Sequence, residues 1–271
     1  MRSLKIYLVI FAVVLSNIAA FGAMEQSFTV PEPQEKIEAM SVKELWDRGN
    51  TAYANGNYMR AEHFYSEILS RDTYSAELYY NLGNVHHKRG ELALSLLYYY
   101  KALRLAPSDS DILHNIEVVK AETKDNIEQM PRLFLVEWFE SVESLMGCRE
   151  WSILSILLFA IVLGALLLYL LAESLKMRKV GFAAVLFAGI LFIVATNYAL
   201  AGRAELLSPS EAVVMSKSIS VKSSPSGAST ELFIIHEGTK VEVVSKHESW
   251  SEILLDDGKK GWVESRRIEE I

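Results

Sequence analysis

The sequence predicts a multidomain membrane protein in which an all-α helical repeat region, an α-helical transmembrane hairpin and an all-β region succeed one another. Three observations carry that class. Trp151–Ala172 and Val180–Ala201 are each 22 residues long and hold no charged side chain. The chain from Val42 to Pro107 repeats itself at a spacing of 34 residues. The last stretch, 208–271, changes to short runs of β-prone residues broken by turn signals.

The two apolar stretches match the roughly 20 residues that a helix needs to cross a bilayer core. The first contains 14 Leu, Ile, Val or Phe residues and the second 11. At about −0.3 to −0.6 kcal/mol each, these residues favour insertion by several kcal/mol. Residues 173–179 between them include Lys176, Arg178 and Lys179. Short loops rich in Lys and Arg stay in the cytoplasm, so the domains on either side of the hairpin, before Trp151 and after Ala201, are expected on the outer side. Ala160/Gly164 and Ala184/Ala188 have the small-xxx-small spacing that lets spans pack closely, and they are expected to meet within the hairpin.

Composition narrows the function. The 51% hydrophobic fraction is inflated by the spans, which leaves room for modest soluble domains only. A formal charge of −7 and the lack of a basic patch argue against nucleic acid as a partner. Cys148 is the only cysteine, so no intrachain disulfide can form.

At the start, residues 1–22 carry Arg2 and Lys5, then the apolar run Ile6–Leu15, then small residues, which is the layout of a secretory signal. Residues 23–40, with Pro31 and Pro33, read as a linker. Residues 41–130 form the repeat domain. Gly49, Asn50, Gly56, Tyr65 and Leu69 recur as Gly83, Asn84, Gly90, Tyr99 and Leu103. The glycines are expected to let paired helices approach, with Ala61 and Ser95 opposite them and Tyr65 and Tyr99 filling the gap. Asp109–Glu128 reads as a further helix that caps the array. In 131–150, Phe134, Leu135, Trp138, Phe139, Val142, Leu145 and Met146 share one helical face opposite Glu137, Glu140 and Glu143, which predicts a helix in the membrane interface. The alternative is packing on the repeat domain.

In the all-β region, strands are expected near Ala212–Met215, Ser220–Lys222, Glu231–Ile235, Thr239–Lys246, Trp250–Leu255 and Gly261–Val263. Asp256-Asp257-Gly258-Lys259 is the expected tight hairpin.

The period of 34 and the closing Leu105-Ala106-Pro107 resemble the tetratricopeptide repeat. Arg48 stands where the second copy has Leu82, and Thr73 where it has Pro107. Val221, Ser224-Pro225, Glu237-Gly238-Thr239, Trp250 and Gly261-Trp262-Val263 resemble, in that order, the bacterial SH3-type domain. The whole arrangement resembles the BatE family of Bacteroides aerotolerance operon proteins. The resemblance implies a bacterial inner-membrane protein with both soluble domains in the periplasm, acting beside von Willebrand A-type membrane proteins without enzymatic activity of its own. In such repeats the first helix of each pair lines a concave groove. The resemblance thus places Trp46, Asn50, Tyr53, Tyr80, Asn81, Asn84, His87, His114 and Asn115 along that groove. Asn50 and Asn81 sit at the asparagine positions of carboxylate-clamp repeats, but Trp46, Asp111 and Asn115 stand where such a clamp has its basic residues. The asparagines either address an extended peptide, since a carboxamide offers both donor and acceptor, or brace neighbouring helices. Trp250 and Trp262 either form an aromatic ligand surface or complete the core of a small barrel.

Enzyme signatures are missing: there is no phosphate-cradling glycine loop, nucleophile elbow or paired-carboxylate pattern. Adjacent His86 and His87 diverge by about 100° on a helix, so they do not form a chelating pair. No cofactor or metal is expected. The sequence therefore points to a membrane-anchored scaffold that binds proteins. The alternatives are an anchor to peptidoglycan and an accessory subunit of a membrane enzyme.

Overall fold

The computed structural model describes residues 37–125, 127, 133–207 and 210–271. The expected signal segment, the linker before Ile37 and the helix-ending Pro131 lie outside these residues. The chain forms two compact units that divide between Leu45 and Trp46. The described part of the first is a 3-10 turn at Ile37–Ala39 and the opening turn of helix α1 (Val42–Ala54), where the Glu44 N–H donates to Ser41 Oγ.

The second unit begins with helix pairs. α2 (Tyr58–Ser70) is capped by Asn57, whose side chain accepts from the Arg60 N–H; α3 (Ala76–Lys88) is capped in the same way by Ser75. Gly56 and Gly90, both at φ +74°, make the tight turns between the helices of each pair, a left-handed conformation that costs glycine little. A Cβ on Gly49 would stand 2.5 Å from the Tyr65 ring, and one on Gly83 2.5 Å from the Tyr99 ring. The expected close approach is therefore present in both pairs. In α4 (Leu92–Leu105), Ser95 is buried and its hydroxyl donates to the Gly83 carbonyl at 3.0 Å.

α5 (Ser110–Glu122) is shorter than expected. The chain leaves the helix at Thr123, whose side chain and N–H both donate to the Lys120 carbonyl. Bends at Thr123 and Lys124 then bring Asp125 to the β domain; residue 128, the expected end of the helix, lies outside the described residues.

Two helices, α7 (Cys148–Leu171) and α8 (Leu175–Leu207), are long and apolar enough to cross a membrane. The connection is shorter than the sequence predicts, because Leu175–Lys179 already belong to α8, with the Ser174 hydroxyl accepting from the Met177 N–H. Lys176, Arg178 and Lys179 thus ring the start of that helix. The seam also departs from expectation by one residue. Of the expected small residues Ala188 is buried, but Ala160 and Gly164 face outward; Ala165 and Ala195 are buried instead, and Gly181 lies where a Cβ would come within 2.7 Å of the Tyr169 nitrogen. A helix has 3.6 residues per turn, so the drift over a 24-residue span rotates the contact stripe off a strict four-residue spacing. Ser155 and Thr196 share a hydrogen bond across the seam at 2.8 Å, and Phe159 meets Phe192. Before the hairpin, α6 covers only Phe134–Glu143.

The C-terminal region is an SH3-like barrel of seven antiparallel strands: β1 (Glu211–Val214), β2 (Ser218–Lys222), β3 (Glu231–His236), β4 (Lys240–His247), β5 (Trp250–Leu254), β6 (Lys260–Glu264) and β7 (Ile268–Glu270), in the order β3-β2-β6-β5-β4-β1-β7. Its core gathers Ala212, Val221, Ile235, Val241, Ile253 and Val263. The expected turn after β5 is present, with Gly258 at φ +82°. β7 is not among the expected strands because Ile268-Glu269-Glu270 has one apolar residue and is set by its pairing with β1.

This barrel is packed on the repeat helices. Val213 and Ile271 join the core of Leu96, Leu97, Tyr99, Tyr100, Ile112 and Ile116, and Arg104 donates to the Ile271 backbone oxygen.

Candidate binding surfaces

The predicted groove residues form a ladder of carboxamides and phenols. The Tyr65 hydroxyl donates to Asn50 Oδ1 at 2.7 Å, and the Tyr99 hydroxyl donates to Asn84 Oδ1 at 2.7 Å. Asn81 Nδ2 donates to the same Asn50 oxygen at 3.4 Å. Asn115 Nδ2, on α5, donates to the Tyr80 hydroxyl, to Asn84 Oδ1 and to the Tyr99 hydroxyl at 3.0, 3.1 and 3.3 Å. Trp46 packs on Tyr65, and Tyr80 on Tyr99, each at 5.8 Å between ring centroids. His87 Nε2 meets Glu122 Oε1 at 2.9 Å, and Tyr53 packs on Tyr58, while His114 lies exposed.

Burial pushes the Tyr65 phenol up to about 12, helped by the nearby Tyr53 and opposed by the Asn81 hydrogen bond. Tyr99 is raised further, again chiefly by burial. Both therefore stay protonated donors at any ordinary pH, and a carboxamide oxygen is the acceptor that suits them. The bonds make Asn50, Asn84 and Asn115 braces between helices. Asn50 remains exposed and Tyr53, Tyr80, Asn81 and Asn84 half-buried, so the rung edges are still reachable from solvent.

The two tryptophans of the barrel share its outer face. β6 alternates Gly261 and Val263 inward with Trp262 outward, and β5 alternates Ser251 and Ile253 inward with Trp250 outward. Trp262 pairs with Glu252 on one side and Lys222 on the other, and Trp250 lies opposite His247 and Glu264. Both tryptophans are half-buried, and neither is among the residues of the barrel core.

The aromatic face and most of the groove, all but Trp46, His114 and Asn115, fall within known modules. Residues 47–110 match the family described as Tetratricopeptide repeat. Residues 217–269 match the family described as Bacterial SH3 domain. No curated protein matches the chain. The tetratricopeptide span stops at the first residue of α5, and the SH3 span omits β1 and Ile271. The junction is built partly from matched residues, such as Leu96, Tyr100, His236 and Thr239, and partly from residues outside both matches, such as Ile112, Asp125, Val213 and Ile271.

A third cluster, unannounced by any sequence motif, lies at that junction. Asp125 accepts from the His236 N–H at 2.6 Å, from His236 Nδ1 at 2.7 Å and from the Thr239 hydroxyl at 2.8 Å. Lys124 Nζ meets His236 Nε2 at 2.8 Å, and Gly238, at φ +85°, lets the turn press on Leu96 and Thr123. Partial burial raises the Asp125 carboxyl, but the three donors outweigh it and hold the group below the usual range. Nothing in the order of residues pairs Asp125 with a turn more than a hundred positions away. Among the described residues, no group of three or more His, Cys, Asp or Glu side chains is placed to hold a metal ion.

Proposed function

We propose that this chain is a non-catalytic, membrane-anchored adaptor that binds partner proteins through its tetratricopeptide and SH3 faces. The observation that carries the reading is the fusion of two binding modules, through the packing of β1 and Ile271 on α4, into one body next to a membrane hairpin. A rigid pair of recognition surfaces loses less freedom on engaging a partner than two tethered ones. The exposed Asn50 and the flanks of Tyr53, Tyr80, Asn81, Asn84 and His87 supply hydrogen-bonding and aromatic contacts for an extended peptide. The basic start of α8 supports a cytoplasmic position for the hairpin's tight end, with both modules on the outer side of a bacterial inner membrane, as in the BatE family it resembles. Von Willebrand A-type membrane proteins are the partner class that this resemblance supplies. Cross-linking in native membranes followed by mass spectrometry tests the reading. Recovery of membrane proteins linked to residues 46–115 supports it, and linkage confined to lipid or cell wall overturns it.

A second reading rests on the outward Trp250 and Trp262. In a domain that matches bacterial SH3 domains, this aromatic face suits peptidoglycan. Co-sedimentation of the detergent-solubilised chain with purified cell wall distinguishes the two readings.

A further inference from the structure

We infer that the segment Leu133–Phe139 is a hydrophobic wedge embedded in the lipid of the outer leaflet, and does not lie flat on the bilayer surface; this rests on the membrane-hairpin reading above.

Every residue from Leu133 to Phe139 is exposed. Leu133 is 77% exposed, Phe134 75% and Leu135 65%, and Val136, Trp138 and Phe139 are exposed as well. Only Glu137 is polar in this run. At about 100° per residue, Phe134, Leu135, Trp138 and Phe139 share one side, but Leu133 and Val136 project from the side that Glu137 occupies. Helical hydrogen bonds already start at Leu133, whose carbonyl accepts from Val136 and Glu137. The first turn is therefore apolar all round. A surface-lying helix keeps a polar face to water, and a groove in a protein covers one side, whereas acyl chains can surround a helix completely.

The depth of the segment is fixed by the hairpin. The Tyr198 hydroxyl on α8 donates to the Phe139 carbonyl at 3.4 Å, and Trp151 Nε1 on α7 donates to the Glu143 carbonyl at 3.1 Å. Trp151 and Tyr198 also pack on each other, with centroids 4.9 Å apart, near the ends of their apolar spans. Such aromatic pairs sit at the headgroup boundary. The α6 backbone is thus held at that boundary at Phe139 and Glu143, which leaves its exposed apolar first turn free to enter the acyl chains beside it. Because the charged residues of α6 are Glu137, Glu140 and Glu143, all acidic, apolar burial drives the contact and anionic lipid adds nothing.

The experiment places a nitroxide label, in a Cys148→Ser background, at residues 133, 134, 135 and 136 of the full chain in phosphatidylcholine nanodiscs. Accessibility to oxygen is compared with accessibility to a water-soluble nickel chelate. The expected result is oxygen access above nickel access at all four positions, unchanged when phosphatidylglycerol is added. Nickel access at 133 and 136 with oxygen access at 134 and 135 would mean a flat-lying helix and overturn the wedge. Low access to both reagents at all four would mean protein cover and also overturn it, as would a requirement for phosphatidylglycerol. Labels at Leu163 and Leu186, exposed in mid-hairpin, separate the two ideas. Oxygen access there with nickel access at 133–136 defeats only the wedge, and nickel access at mid-hairpin defeats the anchor reading itself.

Discussion

The Tyr99 hydroxyl and the Asn84 carboxamide oxygen are 2.7 Å apart, and 34 residues earlier Tyr65 and Asn50 meet at the same distance. In each repeat the phenol comes from the second helix and the carboxamide from the first, 15 residues before it. The bond ties a helix pair together beside the glycine that lets the pair touch.

Removing the acceptor should therefore cost stability. Asn84→Ala leaves the Tyr99 hydroxyl and the Asn115 amide short of a partner, a loss of about 1–3 kcal/mol when such groups are out of water. Thermal melting of the full chain in detergent, followed by circular dichroism, should show a lower Tm. Adding Tyr99→Phe should recover part of the loss, because the orphaned hydroxyl is gone. An unchanged Tm in Asn84→Ala would refute the bracing role.

Gly83→Ala tests the approach itself. The new methyl group would stand 2.5 Å from two Tyr99 ring carbons, so the ring must move and the helices must part. Overpacking of this kind costs about 1–3 kcal/mol. Gly164→Ala is the matched control, since a Cβ there meets nothing within 4 Å and faces outward. A drop in Tm for Gly83→Ala without one for Gly164→Ala is the expected pair of outcomes.

The helix pairs and the spans are legible in the sequence, because a 34-residue period and an uncharged length are local properties of the chain. The constant offset of 15 between asparagine and tyrosine is present there too, and it is the signal that names the braces. The features that escape such reading depend on contacts distant in sequence. Just past the end of α5 at Glu122, Asp125 is tied to a turn of the barrel, and β7 is made a strand by β1. The one-residue offset of the hairpin seam arises from accumulated helical rotation, which spacing rules ignore.

The junction should be sensitive to acid. Asp125 has a folded-state pKa held below its ordinary value of 3.8, so its bonds to His236 and Thr239 stabilise the junction fully at pH values above the unfolded value. That contribution is lost as pH falls through the folded value. Limited proteolysis between repeat and barrel should accelerate below about pH 4 in the natural chain. Asp125→Asn should cleave faster at neutral pH and show a flatter response to acid.

Orientation of the hairpin can be checked at its tight end. Lys176, Arg178 and Lys179 all lie within the first turns of α8, so a reporter inserted at Glu173 interrupts neither helix. A reporter active only outside the cytoplasm should be silent there and active when fused after Ile271. Replacing the three basic residues with Glu should weaken this contrast, because the Lys and Arg bias sets orientation.

The outer face of the barrel gives the sharpest separation between folding and binding. Trp262 lies between Glu252 and Lys222 on the side away from Ile253 and Val263, so Trp262→Ala removes ring surface without opening the core. Gly261 beside it does press on the core, where a Cβ would come within 2.6 Å of Val221, which makes Gly261→Val the folding control. An aromatic anchor at the centre of a recognition surface costs about 2 kcal/mol or more when truncated, a loss of roughly 30-fold or greater in affinity. Trp262→Ala should therefore retain its Tm within a few degrees and lose most of its retention on whichever ligand the natural chain holds, cell wall or partner protein. Gly261→Val should lower Tm and retention together. Full retention by Trp262→Ala would show that this face of the barrel does not do the binding, and would leave the repeat groove as the adaptor's recognition surface.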